Sequence, residues 1–255
     1  MSARCIYCLG PSDDAKGVAH VCPEAIVRNT TVLPRGAECD RCNSALGDVD
    51  REVAQYPAIA LPIQFLALPG KKNKPRHVVG NFDRASNPGW ITIPCEAPTP
   101  GTAADGTRTT TWRTTVDPSL DLWKVSRGLH HMAFNVLAHW KGVEHAHRGE
   151  FDAVRKYVRE PKGRSEHWPF IQVSHPMARI RNRVHVAVCE APFGDVVCLR
   201  IFNSDFWVDV RNTGQLIPWA RENLPTHAHI VDASFPVPKP DPPGSPLYRI
   251  RIEAN

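Results

Sequence analysis

Cys5-Ile6-Tyr7-Cys8 and, after thirty intervening residues, Cys39-Asp40-Arg41-Cys42-Asn43 decide how this chain begins to fold. Each is a C-x2-C pair, and between them lies Ala19-His20-Val21-Cys22-Pro23-Glu24. One such pair puts two thiolates on a single tight turn. Two pairs supply the four sulfurs that tetrahedral Zn2+ takes in a structural site. The spacing predicts a structural zinc on Cys5, Cys8, Cys39 and Cys42. Its contribution would be to fold a fragment of about fifty residues, which is too small to build its own core.

Outward from the cysteines, 18–26 reads as the strand and turn that carry His20, and 31–33 as a return strand ended by Pro34 and Gly36. Residues 42–54 read as a short helix, because Leu46, Val49 and Val53 share a face. Segment 58–68, punctuated by Pro57, Pro62 and Pro69, reads as strand or linker. Residues 71–76 form a basic turn, read as a solvated loop or a phosphate contact. Strands are expected at 77–82, 90–95 and 107–116, with a Pro/Gly/Ala stretch, 97–106, between the last two. Helices are expected at 119–141, capped by Ser119 and stopped by Gly142, and at 149–160. The stripe of the longer helix runs from Leu122 through Leu129 and Val136 to Trp140. Residues 184–190 and 196–202 flank a Pro192–Asp195 turn and read as a hairpin, extended into a sheet by 206–210, 229–233 and 247–252.

The 255 residues suffice for one large domain or two smaller ones. Apolar residues at 42% and charged residues at 22% are ordinary globular values. The 24 prolines favour loops and short strands over a helical bundle. A net charge of +5 permits a polyanionic partner without demanding one. Nothing at the N-terminus reads as a signal peptide and no apolar run spans a bilayer. The expected setting is therefore cytoplasmic, with no membrane partner, and there paired cysteines hold metal rather than form disulfides. Cys22, Cys95, Cys189 and Cys198 are read as small buried apolar residues.

The motifs resemble those of the zinc-bound HNH endonucleases over residues 5–54. The family pattern is a C-x2-C knuckle, an acid-His-hydrophobic-x-Pro segment, and a C-x2-C-Asn that opens a helix. Here Cys5–Cys8, His20 through Pro23, and Cys39 through Asn43 follow it in order. The resemblance implies an α+β fold: a small zinc-stapled ββα-metal, treble-clef-like module at 1–55. Residues 56–255 would then be an α+β domain with antiparallel sheet and one long helix. It also implies a nuclease acting on nucleic acid, DNA in particular. In that role His20 is the general base, and Asn43 a ligand of a catalytic Mg2+ or Mn2+ distinct from the structural Zn2+. One position departs: Ala19 stands where the family has its carboxylate metal ligand. Glu24, Glu38, Asp48 and Asp50 are the nearby acids that could replace it. The alternatives are a zinc-dependent nucleic-acid-binding module without chemistry, and a structural zinc protein. Residues 126–142, with Arg127, His130, His131 and Asn135, also resemble a segment that follows the module in some members, with no role attached.

The remaining histidines carry weaker signals. His130 and His131 are adjacent on a helix and point about 100° apart, so they do not share a metal. His145, His147, His227 and His229 read as core or solvated residues. Trp112 beside Arg113 is the one local hint of a base-stacking platform. No P-loop, G-x-S-x-G or G-x-G-x-x-G occurs.

Overall fold

The periodic stretch after Cys39 forms α1 (Asp40–Gln55), with Cys42, Leu46, Val49 and Val53 buried along one face. The structure, a computed structural model, describes residues 3–24, 26, 31–65, 90–94, 99–102, 108–111, 120–159, 168–175, 184–225, 228–231 and 247–251. α1 ends at Tyr56, whose backbone is extended because a proline follows. Pro57 then opens α2 (Pro57–Phe65), where its missing N–H is no loss in a first turn. The bond from Ala60 N–H to the Tyr56 carbonyl closes that turn. Segment 58–65 is thus helical, not strand or linker. Its prolines read as breakers, yet one sits at the start and Pro62 is tolerated inside.

The second long helix is α3 (Leu122–Lys141). Its cap is Asp121, whose carboxylate accepts the Trp123 and Lys124 N–H groups. The expected cap, Ser119, lies outside the described residues. Gly142 stops α3 with φ +93°, as expected. Val125, Leu129, Met132, Val136 and Leu137 are buried, but Trp140 is 58% exposed. The period holds to the end; the last turn simply runs past the elements that cover the rest. α1 crosses α3 at Gly128. A Cβ there would run into Val53 Cγ2 and lie 2.9 Å from the Val49 carbonyl oxygen. α4 (Val143–Ala146), a single 3-10 turn and α5 (Asp152–Arg159) follow, burying Phe151, Val154, Tyr157 and Val158. The Arg127 guanidinium, stacked on Trp123, donates to the Tyr157 and Val158 carbonyls at the end of α5.

Contacts group the chain into two compact units: Met1–Arg76 with Asp121–Phe235, and His77–Leu120 with Pro236–Asn255. In the second, β1 (Trp90–Pro94) was foreseen, whereas β2 (Thr99–Thr102) lies in the stretch read as a loop and pairs with β3 (Arg108–Thr111). The strand expected at 77–82 lies outside the described residues.

The first unit holds a five-stranded antiparallel sheet. Its strands are β4 (Phe170–Ser174), β5 (Val184–Ala191), β6 (Gly194–Ile201), β7 (Ser204–Asp209) and β8 (His229–Val231). Their order is β5-β6-β7-β4-β8, and β5–β6 is the expected hairpin. β4 was not foreseen and joins β7 to the edge strand β8. An unforeseen helix, α6 (Leu216–Asn223), packs Leu216 and Ala220 on Ile171 and Val196. The last strand, β9 (Leu247–Arg251), does not extend this sheet. It pairs antiparallel with β1, Trp90 opposite Arg251 and Pro94 opposite Leu247. Pairing of the two ends of the second unit across most of the chain leaves no local trace in the sequence. Among the described residues, no helix is long and apolar enough to cross a membrane.

Candidate metal centre

The first C-x2-C pair turns on two backbone bonds: Leu9 N–H to the Cys5 carbonyl and Cys5 N–H to the Gly10 carbonyl, both 2.9 Å. Leu9 takes the left-handed conformation, φ +57°, to close the knuckle. The second pair opens α1. Cys39 is the residue before its first turn and makes no side-chain cap bond. Ile6 N–H donates to the Ala37 carbonyl at 2.8 Å and ties the two loops together. Gly36 makes that approach possible. It has φ +81°, and a Cβ would meet Ala3 Cβ at 2.7 Å and the Ser12 carbonyl oxygen at 2.9 Å.

These turns bring Cys5, Cys8, Cys39 and Cys42 together, with all four Sγ atoms within 4.8 Å of one another. Cys8 Sγ and Cys39 Sγ are 3.7 Å apart. Zinc–sulfur bonds of about 2.3 Å in a tetrahedron give edges of about 3.8 Å. The cluster therefore has the size and the soft donors of a site that could hold zinc. The Cys42 thiol beside it holds Cys5 down at about 4, and the same contact pushes Cys42 up. One thiolate is already favoured, and a divalent ion would displace the remaining protons. None of the described cysteines is in a disulfide.

His20 lies on a single antiparallel rung opposite Val32. Val21 N–H donates to the Thr31 carbonyl at 3.1 Å, and Leu33 N–H to the Ala19 carbonyl at 2.8 Å. Side chains alternate about this rung. Ala19, Val21 and Leu33 point inward, and Val18 and Val32 are exposed. The His20 side chain, 29% exposed, has its Nε2 3.5 Å from Glu24 Oε1. Asn43 is exposed on the first turn of α1, with Nδ2 3.6 Å from where a Cβ of Gly17 would stand. Asp40 Oδ1 and Oδ2 accept the Gly17 and Lys16 N–H groups, both at 3.1 Å, so the chain leading to His20 is fastened to the start of α1. The Lys16 and Gly17 N–H groups hold the Asp40 carboxyl below its ordinary range.

Of the four acids that might answer for Ala19, Glu24 stands against the imidazole of His20. Asp48 pairs with Arg51 on the surface at 3.1 Å, and Asp50 and Glu38 face His131. Among the described residues, the cysteines are the one group of three or more His, Cys, Asp or Glu side chains whose ligand atoms converge.

Behind the hairpin lies a buried polar cluster that the sequence reading did not anticipate. Asn135 Nδ2 donates to the His20 carbonyl at 3.3 Å, and Tyr7 OH donates to Asn135 Oδ1 at 2.7 Å. His131 Nδ1 meets Asp50 Oδ1 at 2.9 Å, and its Nε2 lies 3.8 Å from Glu38 Oε2. Burial pulls His131 down, but the Asp50 and Glu38 carboxylates outweigh it and hold the imidazole up at about 10. Its neighbour His130 is pulled down to about 4 by burial, with Nδ1 2.8 Å from the Ser126 carbonyl oxygen. The two histidines are core residues and point to different partners. The signals for them were polar side chains inside an otherwise apolar helix and the resemblance of 126–142 to a segment that follows the module in some members. Cys22 and Cys198 are buried as expected, Cys189 is half-buried, and Cys95 lies outside the described residues. Trp112 and His227 also lie outside them.

No family model matches this chain, and no curated protein or solved structure matches it either.

Proposed function

We propose that residues 5–54 form an HNH-type nuclease module that hydrolyses phosphodiester bonds, with DNA as the substrate and structural zinc on Cys5, Cys8, Cys39 and Cys42. One observation carries this reading. A half-exposed histidine on a short hairpin rung is followed by a helix that opens at four converging thiols and bears Asn43 in its first turn. Neutral imidazole accepts a proton from water near pH 7. The water oxygen attacks phosphorus as the neutral imidazole of His20 takes its proton, the bond to the leaving oxygen breaks, and that oxygen is reprotonated from solvent. A divalent cation, when bound at the phosphate, offsets its charge and that of the leaving oxygen.

A second reading is favoured by Ala19, which is 4% exposed and faces the core. A methyl group packed there offers nothing to a cation, so the module would bind nucleic acid without cutting it. Plasmid DNA incubated with the full, zinc-loaded chain and Mg2+ or Mn2+ separates the two. The nuclease reading expects cleavage that falls at least about a hundredfold in His20→Ala, the scale of losing a general base. Salt-sensitive gel retardation without cleavage favours the binding module instead. Neither activity leaves a structural zinc protein.

A further inference from the structure

We propose that Asn135, on α3, is a positioning residue for His20, and that Tyr7 of the cysteine knuckle sets the orientation in which it works. The proposal rests on the reading of His20 as the base. Its geometry begins with the hairpin. The flanking bonds from Val21 to Thr31 and from Leu33 to Ala19 make His20 and Val32 a non-hydrogen-bonded pair. In such a pair the residue's own N–H and C=O point away from the partner strand. The His20 carbonyl therefore faces away from the strand of Val32. A single rung is also too little pairing to hold a side chain in register by itself.

Asn135 meets that outward carbonyl. Its Nδ2 donates to His20 O at 3.3 Å, in place of a neighbouring strand. Nδ2 also lies 3.2 Å from His131 Nε2, and Oδ1 faces Tyr7. The Tyr7 hydroxyl donates to Asn135 Oδ1 at 2.7 Å and lies 3.2 Å from the His131 carbonyl oxygen on the same helix. Tyr7 is 1% exposed and Asn135 is 1% exposed, so water cannot substitute for either partner. Tyr7 lies between Cys5 and Cys8. The same knuckle that gathers the thiols thereby fixes, through one carboxamide on α3, the backbone that carries the imidazole. This makes α3 part of the site without contact to the reacting groups.

The test uses the full zinc-loaded chain with three variants. Asn135→Asp keeps the shape and removes the donor. Tyr7→Phe keeps the ring and removes the hydroxyl that orients the carboxamide. Tyr56→Phe removes a part-buried hydroxyl that donates to Gln172 Oε1 at 2.7 Å, away from the hairpin, and serves as control. The first readout is the carbonyl 13C resonance of His20 in selectively labelled protein. It should move in Asn135→Asp and Tyr7→Phe and stay at the wild-type position in Tyr56→Phe. The second is DNA cleavage with Mg2+. The first two variants should lose about tenfold in kcat with KM within about twofold, as expected when one orienting hydrogen bond is lost. Should Asn135→Asp fail to fold, Tyr7→Phe carries both readouts. Wild-type resonance positions in Tyr7→Phe, or an equal loss of kcat in Tyr56→Phe, overturn the proposal. If the wild type cuts no DNA, the nuclease reading falls, while the resonance still decides whether Asn135 holds the His20 backbone.

Discussion

α1 and α3 cross at Gly128 yet bury their surfaces by different rules. α1 buries one face, Cys42, Leu46, Val49 and Val53, and leaves most of its other side chains to water. α3 is buried nearly all round from Trp123 to Ala138, polar residues included: Ser126, Arg127, His130, His131 and Asn135. An amphipathic helix needs only one neighbour. A helix covered by α1, α5 and the sheet must find a partner for every polar group it carries. α3 does so at the carbonyls ending α5, at Trp168 through Ser126, and at the hairpin through Asn135. The polar residues of α3 thus mark where it joins other parts of the first unit.

The contrast can be broken from either helix. The largest effect is expected at the start of α1. Cys8→Ser or Cys39→Ser should abolish stoichiometric zinc by elemental analysis and melt the N-terminal elements by circular dichroism. Structural zinc in small modules contributes on the order of 10 kcal/mol. Next comes the link between the helices. Asp50→Asn takes the close carboxylate from the buried His131 ring and should cost about 3 kcal/mol in urea unfolding at pH 7.

The same variant tests a pH slope. His131 is held above its unfolded value of 6.5, at about 10, so its contribution is complete below pH 6.5 and is lost as pH rises through 10. Zinc-saturated wild type should lose stability over that window by up to about 1.4 kcal/mol per pH unit, and Asp50→Asn should show a flatter profile. A smaller change is expected at the crossing. Gly128→Ala drives a methyl into Val53 and the Val49 carbonyl and should destabilise by about 2 kcal/mol, although alanine is the better helix former. A lower melting temperature checks it, and an unchanged or higher one shows that the helices can part. The smallest effect is expected from Tyr56→Phe, just beyond α1, at about 1 kcal/mol for one hydrogen bond to Gln172.

Legibility followed the range of the interactions. The cysteine pairs, the face of α1, the stop at Gly142 and the β5–β6 hairpin each depend on residues a few positions apart, and each was read correctly. β4 was missed because Phe170, Ile171 and Val173 are buried on both faces, which removes the alternation that marks a strand. α6 was missed because eight residues with Pro218 inside carry too little period to register. β9 was placed in the wrong sheet because its partner, β1, is far away in the chain.

The candidate site divides in the same way. Spacing alone selected the four cysteines, and their convergence follows from two short turns tied together by the Ile6 to Ala37 bond. The order of residues also marked His20 and Asn43. Which acid stands beside His20, and which helix holds its carbonyl, came from contacts across more than a hundred residues for Asn135 and four for Glu24. Only the packed chain decides such matters. A lone polar side chain inside an apolar stripe has no preferred partner until burial removes water and leaves it a single donor or acceptor within reach.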